Sequence, residues 1–132
     1  MDLLIRVPEG EELLSYIGRF AAEKGIGSAY FTGIGGCSSA TIGYYDFALG
    51  KYLEKEFHEQ LEIVSLVGNI ASVEGKPFPH AHVVLGNRDY KAFAGHLIEA
   101  QVHPFVELGI TVLAEPVRKV FDTQKGLYIL TP

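Results

Sequence analysis

Three of the five histidines lie close together in the sequence, at His80, His82 and His96. His80 and His82 are spaced i, i+2 in an apolar run, so on a β-strand both rings leave the same face. Turn residues 86–89 follow, and a second apolar run then carries His96. If the two runs form an antiparallel hairpin folded near Asp89, His82 lies opposite His96, with His80 beside them. Three imidazoles on one patch can bind a zinc ion and leave one coordination position open.

The secondary structure of the second run decides whether this site can form. Residues 92–98 also fit a helix, because Phe93 and Leu97 are four residues apart, and periodicity alone does not settle so short a run. Gly95 and the preceding turn favour a strand, which is what we predict. The histidines also have a structural interpretation, as half-buried side chains whose nitrogens bond to the backbone. Their clustering on neighbouring strands favours the metal site.

The rest of the chain predicts one helix among short strands. Leu13, Ile17 and Ala21 recur at helical spacing, and Gly25 marks the end of that helix. We expect separate strands at 92–98 and 106–112. The sequence therefore predicts an α+β fold, a mostly antiparallel twisted sheet of about seven strands with one main helix packed on it, in a single domain over residues 1–132.

A glycine-rich segment, 32–39, follows the first predicted sheet strand after the helix. A dinucleotide-binding G-x-G-x-x-G loop starting at Gly33 would need glycine in place of Ser38, and a helix should follow it. Residues 40–45 instead have the pattern of a strand. We therefore interpret the segment as a turn or bulge where backbones pack closely, and we expect another bulge at Gly68.

Composition narrows the class of protein. The formal net charge is −5, which opposes nucleic-acid binding because phosphate contacts need clustered Lys and Arg. Cys37 is the single cysteine, so an internal disulfide is impossible and a reducing compartment is expected. No apolar run approaches a membrane span, and the N-terminus lacks the features of a signal peptide. We expect a cytoplasmic protein with no membrane partner.

Several motifs, taken in order, resemble the plants-and-prokaryotes-conserved (PPC) domain family from Val7 to about Leu113. The resemblance implies an α/β fold on an antiparallel sheet and a homotrimer. Family members that have an H-x-H motif and a later Gly-His pair also have a metal site, usually assigned as zinc. His80, His82 and His96 match those positions, so the resemblance implies a metal site here. The motifs are Thr32-Gly33-Ile34-Gly35, residues 40–46, residues 61–70, residues 80–85 and Gly95-His96-Leu97.

The same resemblance suggests a role with DNA. Plant members of the family join the domain to AT-hooks, and many prokaryotic members are named as candidate DNA-binding proteins. This sequence has no Arg-Gly-Arg-Pro motif and no basic tail. DNA is therefore a partner by family analogy alone, and the charge opposes it.

Two functions follow from the sequence. One is a trimeric, zinc-binding PPC module with a transcription-associated role by resemblance; the alternative is a zinc-dependent enzyme that acts on a small molecule at an open three-histidine site. No nucleophile–base pair is visible, so no catalytic residue is predicted. We expect four further residues to support the metal ligands or to form a loop near them, namely Glu62, Gly33, Gly35 and Gly95.

Overall fold

The computed structural model describes residues 1–131, and within them the chain forms one helix and eight strands. In chain order the elements are β1 (Asp2–Pro8), α1 (Leu13–Glu23), β2 (Ala29–Asp46), β3 (Lys51–Phe57), β4 (Leu61–Val73), β5 (Lys76–Gly86), β6 (Ala92–Val112), β7 (Lys119–Asp122) and β8 (Leu127–Leu130). The named strands pair antiparallel throughout. The predicted α+β class, with a mostly antiparallel sheet and a single helix, is confirmed.

Six strands form the main sheet, in the order β1-β6-β5-β4-β2-β3. Strand β2 also pairs with β6, so β2, β4, β5 and β6 close into a ring, with β1 and β3 attached outside it. Closure leaves these four strands with few free backbone groups, which fixes their register firmly. Strands β7 and β8 form a separate hairpin. Across residues 1–131, the single helix is too short to traverse a lipid bilayer.

The inward faces of the ring strands and one face of α1 make the core. Fully buried side chains include Phe31, Leu85 and Leu108 from the strands, and Leu13 and Ile17 from the helix. The helix begins where the Glu12 carboxylate accepts hydrogen bonds from the backbone N–H groups of Leu14 and Ser15, which caps its first turn. Burial of this apolar set is the main force that holds the helix against the sheet.

Two pairs of predicted strands are continuous in the structure. The glycine-rich segment is part of β2, which changes register between Gly33 and Gly35 instead of turning. A Cβ built on Gly35 would lie 2.7 Å from the Cα of Val106, so the close packing of backbones predicted for this segment is confirmed. Residues 92–98 and 106–112 likewise belong to one strand, β6, because the backbone stays extended through Pro104.

The bulge expected at Gly68 is not found there. Gly68 pairs in regular register with Ala81, and the irregularity between β4 and β5 falls between Ile63 and Ser65. Gly68 has a packing role instead, since a Cβ at this position would lie 2.5 Å from Cζ of the Phe31 ring. A small residue that makes room for an aromatic ring and one that permits a bulge look the same in sequence.

Candidate metal centre

The three clustered histidines lie on the adjacent strands β5 and β6. His82 pairs directly with His96 across these strands, which confirms the predicted hairpin. His80 is two residues from His82 on β5. It pairs with Asn69 of β4, which is the strand on the opposite side of β5 from β6. Ala81 and Val83 point into the core, so His80 and His82 point to the opposite face, which is what alternation along a strand requires.

The three imidazoles are close enough to share one ion. Their ring centroids are 5.2 Å apart for His80 and His82, 5.3 Å for His80 and His96, and 5.7 Å for His82 and His96. One nitrogen from each ring lies within 4.8 Å of the other two. Tetrahedral zinc with bonds of 2.0–2.1 Å needs nitrogens about 3.3 Å apart, so small rotations of the rings would complete the geometry.

The surroundings of two of the rings favour the neutral form, which is the form that binds a metal. Burial, followed by the charge of Lys119 and by the other two rings, lowers the pKa of His80 to about 4. Burial, followed by His82, also lowers the pKa of His96. The Nδ1 atom of His96 is buried and has no hydrogen-bond partner in the described part of the chain. A bound metal would satisfy such a nitrogen, so these residues fit the ion.

An aromatic ring from the neighbouring edge of the sheet supports His96. Tyr52 on β3 stacks on the His96 imidazole, with centroids 4.5 Å apart and planes at 22°. Gly43 on β2 pairs with His96, and a Cβ on Gly43 would lie 2.9 Å from Cδ1 of Tyr52. The glycine therefore makes room for the stack. Burial, and secondarily Tyr45, raises the pKa of the Tyr52 phenol, so the ring stays neutral at ordinary pH.

The histidines open into a cavity of about 560 Å³. This volume is in the range of small-molecule sites. The hairpin of β7 and β8 forms the wall facing the histidines, and it is tied to the sheet by a hydrogen bond of 3.0 Å from the Tyr45 hydroxyl to the Lys125 carbonyl. Most of the wall is aromatic, with side chains from Phe121 and Tyr128 of the hairpin and from Tyr45, Tyr52 and Phe78.

One cation faces this cavity from the hairpin. Lys119 is only 7 % exposed, and its Nζ donates a hydrogen bond of 3.0 Å to Oδ1 of Asn69, the residue paired with His80. Its ammonium lies 5.8 Å from the centre of the Phe78 ring. Burial lowers the pKa of Lys119. Neither Lys119 nor Tyr52 was expected at the site, because their contacts depend on packing between segments far apart in sequence.

The other expected site residues lie in different places. Gly95 lines the cavity beside His96. Glu62 pairs with Gly86 near the far end of β4 and lines a different surface cleft. Gly33 and Gly35 pair with Leu108 and Val106 of β6, among core side chains and away from the histidine face. The structure therefore brings together the three histidines and Gly95, and leaves the other three residues outside the site.

Comparison with known proteins assigns the family. The sequence profile of the Plants and Prokaryotes Conserved domain matches residues 2–114, so the chain belongs to the PPC-domain family. A search of the curated proteins gives no match. Several solved protein structures superpose closely on this chain over nearly its whole length, including the hairpin beyond residue 114.

Three of these structures illustrate the likeness. A metal-containing protein from Archaeoglobus fulgidus is 39% identical, with a TM-score of 0.92, and the match covers 100% of this chain and 94% of that one. A PPC protein from Pyrococcus horikoshii is 36% identical, with a TM-score of 0.91 and coverage of 98% and 91%. A candidate DNA-binding protein from Bacteroides thetaiotaomicron is 30% identical, with a TM-score of 0.94 and coverage of 98% and 91%.

Proposed function

We propose that this PPC-domain protein binds one zinc ion through His80, His82 and His96. The observation that carries the proposal is the convergence of three ring nitrogens within 4.8 Å of one another. The buried Nδ1 of His96, which has no hydrogen-bond partner among the described residues, supports it, as does the likeness to a protein described as metal-containing. Neutral imidazole is a preferred ligand of zinc, and three such ligands would leave a fourth coordination position for water or a small ligand.

The open position gives a second candidate function, a zinc-dependent enzyme acting on a small molecule. A zinc ion held by three histidines supplies a Lewis acid and lowers the pKa of a bound water towards neutrality. The chain's own contribution would be to bind and orient a ligand in the aromatic cavity, next to Lys119. The cavity of about 560 Å³ beside the histidines is the observation that favours this candidate.

We also propose that the protein is a homotrimer, as the family resemblance implies. A row of outward-facing apolar side chains supports it: Leu4 is 81% exposed, and Ile34, Val64 and Val67 are each 56% exposed. These residues line one shallow cleft across β1, β2 and β4. Exposed apolar surface of this kind is typical of a face that another subunit covers. Val67 pairs with His82, so the face reaches the metal centre.

A role in binding DNA is the weaker expectation for this chain. Structural neighbours are named as candidate DNA-binding proteins, but the formal charge here is −5. A protein that neutralises several phosphates binds less tightly as salt rises, with a steep logarithmic slope. We expect no such salt-dependent binding to duplex DNA. The cytoplasmic location stays a prediction, for which the support is a single buried cysteine, Cys37.

Metal content by mass spectrometry tests the zinc site. Protein purified without an affinity tag should carry about one zinc per chain, and the His80→Ala/His82→Ala variant should carry none. The matched control is His58→Ala/His103→Ala, which removes two histidines that contact Glu56 and Gln60 outside the site. Wild-type protein that holds no metal after incubation with zinc would contradict the proposal.

A further inference from the structure

Lys119 carries a buried charge that has no counter-ion among residues 1–131. Within residues 1–131 no carboxylate lies within 4.0 Å of its Nζ, and the one hydrogen bond it makes is to Asn69. An ammonium can donate three hydrogen bonds, so two remain available. Lysine is almost never fully buried unless it is paired, because removing the charge from water costs free energy. The cation faces the cavity, where a bound anion could pair with it.

The shape of the cavity limits what that anion can be. Apart from Lys119 and the histidines, its wall is mainly apolar, with aromatic rings that include Tyr45 and the contacting pair Phe78 and Tyr128. Rings of this kind bind flat apolar groups by offset or edge-to-face contacts. No arginine lines the cavity in the part of the chain that the structure describes, so it lacks the two-pronged donor that phosphate sites commonly use.

We propose that the cavity binds a small carboxylic acid with a flat apolar body, the carboxylate lying against Lys119 on the histidine side. The inference deepens the proposed function, because zinc at the three histidines would be a second positive group beside the same carboxylate. Asn69 positions the ammonium, and the hairpin of β7 and β8 encloses the apolar body. A neutral ligand of the same shape would leave the buried ammonium unpaired, so the site should reject it.

Benzoate is a suitable probe, with benzamide as its neutral isostere and acetate as the carboxylate without a ring. Titration calorimetry on the zinc-loaded wild-type protein should show benzoate binding at least about tenfold more tightly than either of the other two. Lys119→Met keeps the length and apolar stem of the side chain and removes the charge. It should weaken benzoate binding by about tenfold or more and leave zinc content unchanged.

Lys125→Met is the matched control, since it removes an exposed charge from the same hairpin. It should bind benzoate as the wild type does. Equal affinities for benzoate and benzamide, or full benzoate affinity in Lys119→Met, would overturn the proposal, and so would an absence of benzoate binding at millimolar concentration. The wild-type comparison of the two probes does not depend on any variant folding.

The same titrations on metal-free protein separate this proposal from the zinc proposal. Benzoate binding that requires Lys119 in a protein unable to hold zinc would support the carboxylate site and contradict the metal site. If the protein binds one zinc ion per chain but Lys119→Met binds benzoate as tightly as the wild type, the metal site alone is supported. That result would overturn the inference made here.

Discussion

Tyr52 stacks on His96 with 4.5 Å between their ring centroids. The stack joins β3 at one side of β2 to β6 at the other, across Gly43, which has no side chain to keep the rings apart. Because the imidazole lies against this ring, the stack restricts how His96 can rotate. Residues that orient a metal ligand from behind commonly change metal affinity tenfold to a hundredfold when they are replaced.

We therefore expect Tyr52→Ala to weaken zinc binding about tenfold and Tyr52→Phe to leave it within about twofold, since the ring and not the hydroxyl makes the contact. Competition with a chromophoric chelator measures both affinities. Tyr90→Ala removes a tyrosine that is 96% exposed and serves as the control. If Tyr52→Ala kept wild-type affinity, the stack would have no part in orienting His96.

The proposed subunit interface predicts that a charge at its centre disrupts assembly. Val64→Glu/Val67→Glu places two carboxylates in a face that a partner would bury without a counter-charge, which costs several kcal/mol. We expect a trimer in the wild type and a monomer in the variant, measured by light scattering after size-exclusion chromatography. Leu49→Glu, at an exposed turn outside this face, should remain trimeric. A monomeric wild type would contradict the proposed assembly.

Gly18 lies within α1, where glycine lowers helix stability. A glycine inside a helix can permit close approach to a sheet, but a Cβ here would be 3.8 Å from the nearest atom of Pro79, which is ordinary contact. Gly18→Ala should therefore raise the free energy of unfolding by about 0.5–1 kcal/mol, mainly by restricting the unfolded chain. Urea denaturation measures the change. A destabilised variant would show that this contact is tighter than the structure indicates.

The buried thiol of Cys37 should make the free energy of unfolding fall at alkaline pH. Burial raises the pKa of its thiol from 9.0 to about 11. Because the folded pKa is the higher one, the thiol's contribution to stability is complete below pH 9 and is lost as the pH rises towards 11. Cys37→Ala should flatten the fall in stability across that range. Urea titrations at several pH values test this; identical slopes in the two proteins would contradict it.

The same burial predicts slow labelling. At pH 8 only roughly a thousandth of the thiol is ionised in the folded protein, and the side chain has no exposed surface. Labelling by a disulfide reagent should be more than about a hundredfold slower in the native protein than in urea.

The histidine cluster was predictable because its geometry is local. An i, i+2 spacing on a strand and a turn at 86–89 are enough to place His82 opposite His96, and the structure has that pairing. Gly95 could be placed near the site for the same reason, since it precedes His96 in the sequence. Glu62 was expected near the site on residue type alone, and the register of β4 puts it at the opposite end of the strand.

The remainder of the site depends on contacts between distant segments. Asn69 and Lys119 are 50 residues apart in sequence, and no periodicity indicates that they meet. Tyr52 belongs to β3, a largely polar strand at the edge of the sheet, and nothing in its sequence indicates a contact with His96. The continuity of β2 and β6 was missed for a related reason, because Gly35 and Pro104 resemble strand breaks until pairing partners hold the backbone extended on both sides.

The C-terminal hairpin divides the candidate site between two portions of the chain. All three histidines fall within residues 2–114, the portion that the family profile matches, whereas Lys119 and two aromatic side chains of the wall, Phe121 and Tyr128, lie beyond it. Substitutions in the hairpin can therefore alter which ligand the cavity accepts while the metal ligands and the ring of strands stay unchanged. Relatives that share the same metal chemistry could in this way differ in the molecules they recognise.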